Sequence, residues 1–442
     1  MARILVVEDD NHFREAICDF LKRKQYDVFQ APNGKAAKEI ISVQDLNIVL
    51  TDIQMPGLTG IELMEWALKH KPLPFIVMTG FSMLLETQSA YDLGAKEFIT
   101  KPFKNADLLS AIERILGTTK EPEVVSQVAT EYCKVSIDEF VARPTIEFDV
   151  YVKLSDQKYI KIAHKGETMP RDRVQQYKDK GLRYLYIAKE DFGKLVDFNL
   201  NLANIIKDRS DISDEKKMNF MKYTGEAILE KAFVEGVDRE SFKEAQSFLG
   251  MTINVITDSK EHFDMLSLLN AHSDYIYAHS IGVAMHSIMI ARKMGYESNQ
   301  VFFKLSMAGM FHDIGKKEID RQILEKARPL LSNSERALIE SHATRSKEIL
   351  LAIKGIPEDV VQIVYEHHED CAGQGYPMAK KKHEMHPLSK ILQTANLFME
   401  QALKGPNHPG MSGLNAVAYL EKIYFDRLDP ACVTALKSLF SA

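Results

Sequence analysis

The stretch "MFHDIGKKEI" (residues 310–319) sets a histidine and an aspartate side by side at the end of an apolar run, with Lys316 three residues further on. An aspartate on an apolar segment costs folding free energy unless something pairs with it. Other histidines flank the pair along the chain: His279 in "YAHSIGVA", His342 in "ESHATRS", and His367-His368 in "YEHHEDCAGQGYP". The separations are 33 (279 to 312), 29 (313 to 342) and 25 (342 to 367) residues, each about one helical hairpin. Helices stacked in a bundle can aim all of them at one centre. Imidazoles plus one carboxylate, with positions left open, suit iron, manganese or zinc. Asp313 has two oxygens and can bridge two such cations, which makes the burial of His312-Asp313 tolerable. Lys316 follows Asp313 by about one turn, on the same face, where it can pair with a substrate phosphate. His262, His272, His286, His383, His386 and His408 are read as ordinary core or surface residues.

A second constellation lies near the N-terminus. Glu8, Asp9 and Asp10 follow the apolar run "RILVV", Asp52 sits at the end of "NIVLTD", Thr79 ends "FIVMT", and Lys101 follows "KEFIT", before Pro102. Carboxylates that converge need a hard cation, and Mg²⁺ with oxygen ligands is the natural partner. A lysine and a hydroxyl nearby would steady the oxygens of a phosphoryl group.

The elements that must position these groups follow from hydropathy patterning. The first 118 residues alternate short apolar runs with amphipathic ones, five β/α repeats in all, which predicts a doubly wound parallel sheet. In such a sheet all four strand ends named above face one crevice. The polar segment "GTTKEPE" (117–123) is the expected linker. Residues 124–195 change texture: "FDVYVKL", "KYIKIAH" and "LRYLYIA" read as strands, and "RDRVQQYKDKG" as a helix ended by Gly181. This predicts a small α+β module. Residues 196–265 read as a helical connector that dimerises, and 266–442 as an all-α domain. Ser332 and Glu335 form a capping-box start for one helix, "NSERALIESHATRSKEILLAI".

Bulk properties narrow the functional classes. The chain has 442 residues, too many for one ordinary domain, and a net charge of −6 with acids and bases interleaved. No basic stripe suggests direct DNA binding. No apolar run has the ~20 residues that a membrane span needs, and the N-terminus lacks a signal-peptide pattern. The four cysteines are scattered without a C-x-x-C pair, as expected of a reduced, cytoplasmic protein.

Residues 1–118 closely resemble the response-regulator receiver domain. The resemblance implies that Asp52 accepts a phosphoryl group from a cognate histidine kinase. It also implies that Glu8 and Asp9, with Asp52, hold Mg²⁺, that Thr79 and Lys101 contact the phosphoryl group, and that Phe98 is the aromatic switch residue. Residues from about 270 to 440 resemble the HD-GYP phosphodiesterase family through "HDIGK", "HHE", "GQGYP" (373–377) and "FDRLDPACV" (425–433). Membership implies a site of two divalent metals, iron or manganese and less commonly zinc, where activated hydroxide attacks a phosphodiester of cyclic di-GMP. His279, His312, Asp313, His342, His367 and His368 match the ligand positions, and Lys316 matches the phosphate-contacting lysine. Gly373, Gly375, Tyr376 and Pro377 would border the nucleotide. The middle module looks like the small domain that precedes HD-type output domains in some bacterial signalling proteins.

The match fails in identifiable places. The family supplies a further metal-binding aspartate from a segment resembling "ILAVADVYDAL". Here the segment is "ILQTANLFMEQAL", with Asn396 at the aspartate position and Met399 at a later acidic one. An arginine-containing segment resembling "DRPYR" is replaced by "NHPGM" (407–411), and Tyr275 stands where a glutamate for a third metal would fall. The expectation is two metals at most, one weakened at Asn396, and poorer phosphate binding. Two readings remain open: a phosphorylation-controlled cyclic di-GMP phosphodiesterase that works as a homodimer, or a degenerate output that binds metal or cyclic dinucleotide and signals through protein contacts.

Overall fold

The computed structural model describes residues 1–80, 89–101, 103–117, 131–142, 145–155, 158–258, 265–270, 274–405 and 408–440. The expected linker lies outside them apart from Gly117, as do Pro102, His262, His272 and Asn407. The chain forms two compact units, Met1–Lys189 and Glu190–Ala442.

In the first unit, β1 (Arg3–Val7), β2 (Asp27–Ala31), β3 (Ile48–Asp52), β4 (Phe75–Thr79) and β5 (Glu97–Thr100) form a parallel sheet in the order β2-β1-β3-β4-β5. Its inner strands β1, β3 and β4 are apolar along most of their length because both faces are covered. Ile4, Val6, Ile48, Leu50, Ile76 and Met78 enter one core, while Leu5, Val7, Val49, Phe75 and Val77 enter the other. Helices α1 (Asn11–Arg23), α2 (Gly34–Val43), α3 (Gly60–His70) and α4 (Asn105–Leu116) supply the covering layers. The strand order reverses between β1 and β3, which opens a crevice at their carboxyl ends.

A second, antiparallel sheet follows: β6 (Tyr132–Ser136), β7 (Val150–Ser155), β8 (Lys158–Ala163) and β9 (Tyr184–Ala188), in the order β6-β9-β7-β8. The sequence reading found three of these strands and missed β6. Helix α5 (Arg171–Asp179) packs on this module, and Gly181 just beyond it takes φ +84°. The edge strand β8 lies against β5. Thr100 Oγ1 donates to the Lys161 carbonyl at 2.6 Å, Lys158 Nζ sits 3.1 Å from Glu97 Oε2, and Ile160 joins one receiver-side core.

The second unit is helical: α6 (Lys189–Ile206), α7 (Asp214–Glu235), α8 (Arg239–Asp258), α9 (Met265–Asn270), α10 (Tyr275–Lys293), α11 (Asn299–Phe311), α12 (Arg321–Leu324), α13 (Asn333–Glu340), α14 (His342–Leu351), α15 (Glu358–Tyr365), α16 (Pro387–Ala402), α17 (Gly413–Ile423) and α18 (Pro430–Ser438). Helix α10 is apolar on nearly every side and forms the axis of the bundle, packed by α11, α16 and α18. Helices α7 and α8, expected to connect, lie against α10 and α11; Tyr277 donates to Glu230 Oε2 at 2.6 Å.

One expectation is corrected. The segment after Ser332 keeps its capping box but forms two helices, broken at Ser341. Ser341 Oγ donates to the Leu338 carbonyl at 2.7 Å, and His342 Nδ1 to the Ile339 carbonyl at 2.6 Å. Both side chains engage carbonyls that the helix ladder uses, and the helix bends there. His342, just past the break, is buried.

Candidate functional site

The bundle brings His279, His312, Asp313, His342, His367 and His368 to one centre. His279 comes from α10, His312 and Asp313 from the end of α11, His342 from the start of α14, and His367-His368 from the turn after α15. Gly315, in the motif after Asp313, lets α14 approach: a Cβ there would lie 2.4 Å from the His342 carbonyl oxygen and 2.7 Å from Ser346 N. Ser346 Oγ fastens the junction, accepting from Gly315 N at 2.9 Å and donating to the His312 carbonyl at 2.7 Å.

Asp313 is 2% exposed and its two oxygens face different groups. Oδ2 lies 3.3 Å from His312 Nε2 and 3.9 Å from His279 Nε2, while Oδ1 lies 3.2 Å from His342 Nε2 and 3.9 Å from His367 Nε2. The potential ligand atoms of His279, His312 and Asp313 all fall within 4.8 Å of one another, as do those of His342, His367 and His368. Burial pushes the Asp313 carboxyl up, but its surroundings, the Lys316 ammonium among them, outweigh it and hold the carboxyl well below the usual range. Lys316 Nζ donates to Oδ2 at 2.6 Å.

The imidazoles carry their own test of whether cations fit. Nδ1 of His312, His342 and His367 donates to the carbonyls of Gly309 (2.8 Å), Ile339 (2.6 Å) and Val364 (2.5 Å). A carbonyl only accepts, so the proton of each neutral ring sits on Nδ1 and Nε2 presents a bare lone pair. The lone pairs of His342 and His367 face each other at 3.0 Å. Protonating either ring would relieve the repulsion, but burial drives both pKa values down. A bound cation would relieve it, and backbone carbonyls behind the rings are the support that metal-ligating histidines carry. These residues therefore fit divalent metals with nitrogen and oxygen ligands.

The loop after His368 folds back onto it. Tyr376 stacks on His368 at 4.5 Å between ring centroids, and the Tyr376–Pro377 peptide is cis. Gly373 N donates to the Asp370 carbonyl at 3.1 Å, and Asp370 Oδ1 accepts from Gln374 N at 2.8 Å. Glu369 accepts from Met378 N and Lys380 N at 2.6 and 2.7 Å. Arg427, in "FDRLDPACV", clamps Asp370 at 2.6 and 2.7 Å.

In the first unit, Glu8, Asp9 and Asp52 place carboxylate oxygens within 4.8 Å of one another at the crevice. Lys101 Nζ lies 2.6 Å from Glu8 Oε2 and 2.5 Å from Asp52 Oδ2. Burial raises the Glu8 carboxyl against the pull of Lys101. Three carboxylates with one lysine leave an excess of negative charge on hard oxygen ligands, which fits Mg²⁺. Asp10 is not part of this set, because its Oδ1 caps α1 by accepting from Phe13 N at 2.9 Å. Thr79 is buried at the end of β4, and its Oγ1 donates to the Gly80 carbonyl at 3.2 Å. Phe98 is 9% exposed on β5 and lines a cavity of about 370 Å³ between β5–α4 and β8.

Comparison with known proteins agrees with this division. Residues 4–113 match the response regulator receiver domain family, and residues 251–432 match the HD domain family. The chain joins a receiver domain to an HD domain. It is 24% identical over 411 residues to a cyclic di-GMP phosphodiesterase of Thermotoga maritima, spanning 91% of this chain and 81% of that protein. It is 29% identical over 170 residues to the 3'3'-cGAMP-specific phosphodiesterase 3 of Vibrio cholerae, spanning 38% of this chain and 36% of that enzyme. The solved structure of an HDG"Y"P protein from Bdellovibrio bacteriovorus shares the fold, with a TM-score of 0.57 at 19% identity, over 71% of this chain and the whole of that one. Among the described residues, no helix is long and apolar enough to cross a membrane.

Within the HD domain, Asn396 projects from α16 into the centre, its Oδ1 2.8 Å from His279 Nε2. Met399 does not reach the site: it is fully buried, with its Sδ and Cε packed against Gly282 on α10. Tyr275 stacks on the His279 ring at 5.8 Å, and burial, Glu400 and Asp313 raise its hydroxyl pKa. Sequence reasoning missed Glu400. It is half-buried one turn after Asn396, with Oε1 3.5 Å from Asn396 Nδ2. The signal was available as a helical spacing of four from Asn396.

Proposed function

We propose that this response regulator is a metal-dependent phosphodiesterase that opens cyclic di-GMP, with phosphorylation of Asp52 in the receiver setting its activity. The observation that carries the reading is the pairing of the two Asp313 oxygens with two separate groups of imidazoles. When bound, two divalent cations there supply Lewis acidity and an activated water for attack on a phosphodiester. His279, His312, Asp313 and Asn396 would hold one, and Asp313, His342, His367 and His368 the other. Lys316, 22% exposed at its side chain and 2.6 Å from Asp313, would steady a phosphate oxygen. Tyr376 and the loop Gly373–Pro377 would wall the nucleotide. In the receiver, Glu8, Asp9 and Asp52 would hold Mg²⁺, and Thr79 and Lys101 would stabilise the aspartyl phosphate. On this reading the partners are a histidine kinase, a cyclic dinucleotide and a second copy of the chain, in the cytoplasm and without DNA contact.

Support comes from the names of two relatives, both phosphodiesterases of cyclic dinucleotides. Asn396 favours a second reading, in which the centre binds without hydrolysing and the signal passes to a protein partner. The test is purified full chain with Mn²⁺ or Fe²⁺ and cyclic di-GMP or 3'3'-cGAMP, the products separated by chromatography. Linear dinucleotide from cyclic di-GMP is the expected result. Metal-loaded protein that leaves both substrates intact would decide for the second reading.

A further inference from the structure

We propose that Glu400 supplies, from one helical turn further along α16, the carboxylate that position 396 lacks, as the anionic partner of the cation on the His279–His312–Asp313 side. The inference rests on the metal-centre reading above and extends it to a residue outside the motif.

Asn396 and Glu400 are four apart on α16 and share a face. Helical side chains lean toward the helix N-terminus, so a long side chain covers the surface over the turn before its own Cα. Glutamate at 400 thus reaches back along α16 to the side chain at 396. The contacts agree: Asn396 spans the gap, with Oδ1 2.8 Å from His279 Nε2 and Nδ2 3.5 Å from Glu400 Oε1. The charged and titratable groups acting on Glu400 belong to the centre and its rim: Lys316, Asp313, Arg328 and His312.

His279 gives a second, independent observation. It is 3% exposed, and its Nδ1 has no hydrogen-bond partner. His312, His342 and His367 are fixed from behind by carbonyls, whereas among the described residues the polar partners of the His279 ring lie at Nε2 alone, Asn396 Oδ1 at 2.8 Å and His312 Nε2 at 3.3 Å. Charge accounting points the same way. Two divalent cations and the Lys316 ammonium face neutral imidazoles and a single carboxylate, Asp313. A second carboxylate, at Glu400, lowers the surplus where dielectric screening is weak. Without a cation, Glu400 and Asp313 would be two like charges sharing one lysine.

The experiment is a Mn²⁺ titration of the full chain, read by electron paramagnetic resonance and by elemental analysis after gel filtration. Three proteins are compared: wild type, Glu400→Gln and the double variant Asn396→Asp/Glu400→Gln. Wild type should bind two Mn²⁺ per chain. Glu400→Gln should weaken one of them at least ~10-fold, and the double variant should regain it. Glu400→Gln that binds two Mn²⁺ as tightly as wild type overturns the inference and leaves the proposed function standing. A loss that Asn396→Asp fails to restore also overturns it, because the effect is then not one of charge. Wild type that binds no Mn²⁺ overturns the metal-centre reading itself.

Discussion

Asp313→Asn keeps the side chain's size and an oxygen but removes its charge. In the structure that charge lies within 4 Å of four imidazole nitrogens and 2.6 Å from Lys316 Nζ. Groups that merely support a metal ligand cost ~10–100-fold in affinity when lost, so removing the carboxylate proposed to bridge the two cations should cost at least ~100-fold. The consequence for stability follows from linkage. At a free Mn²⁺ concentration one hundred times the wild-type dissociation constant, binding stabilises the fold by about 2.7 kcal/mol. A site weakened ~100-fold gains only about 0.4 kcal/mol from the same concentration. For a unit the size of Glu190–Ala442 these correspond to rises in Tm of roughly 5–11 °C and about 1 °C. Differential scanning fluorimetry with and without Mn²⁺ reads the difference, with far-UV circular dichroism to show that the helices persist. If the variant's Tm rises with Mn²⁺ as far as that of wild type, Asp313 is not the bridge and the centre has been misassigned.

Three other outcomes are expected. Asp52→Asn should abolish labelling by a small phosphodonor with Mg²⁺ on a phosphate-affinity gel; labelling equal to wild type would remove Asp52 from that role. Gly375→Ala places a Cβ 2.4 Å from the His368 carbonyl oxygen and 2.5 Å from Glu369 Cα, which are backbone atoms. It should cost ~1–3 kcal/mol by overpacking and lower metal content, both measurable on the purified variant. His286, 1% exposed, donates from Nδ1 to the Gly282 carbonyl, and burial lowers its pKa to about 4. Below its ordinary value of 6.5 the unfolded chain takes up a proton that the folded chain refuses, so stability is full above 6.5 and falls as pH drops toward about 4. That interval is worth roughly 3 kcal/mol at ~1.4 kcal/mol per pH unit. Urea unfolding of wild type should lose about that much more than His286→Gln between pH 7 and pH 4, and parallel profiles would refute the assignment.

The legible parts of the sequence were those where one local pattern encodes a tertiary constraint. A parallel strand buried on both faces must be apolar throughout, so "RILVV" and "FIVMT" announced the sheet and, with it, the crevice where Glu8, Asp52, Thr79 and Lys101 meet. Histidines at hairpin spacing announced a bundle with a shared centre. What escaped was set by three-dimensional detail. Strand β6, "YCKVS", is short and carries a lysine, and it exists because β9 offers it an edge. The break at Ser341 depends on two side chains engaging backbone carbonyls, in a segment whose periodicity runs on unbroken. Glu400 lies outside the motif, whose frame leads to Met399; the helix turns Met399 toward α10 and sets Glu400 beside Asn396. Nothing local marks the role of Arg427, because its partner Asp370 is 57 positions away in sequence.

The apposition of β5 and β8 has a competitive consequence. An edge strand offers unpaired backbone groups to any passing chain. Here the module that covers the receiver's edge is carried on the same polypeptide, so it behaves as a tethered ligand present at an effective concentration of the order of millimolar. Any outside protein that seeks this face of the receiver, including another copy of the receiver, must displace that ligand or bind elsewhere. The side chain of Phe98 lies in the wall of the cavity at this seam, next to the residues that anchor the tethered partner. The receiver's edge is thus engaged first by its own chain.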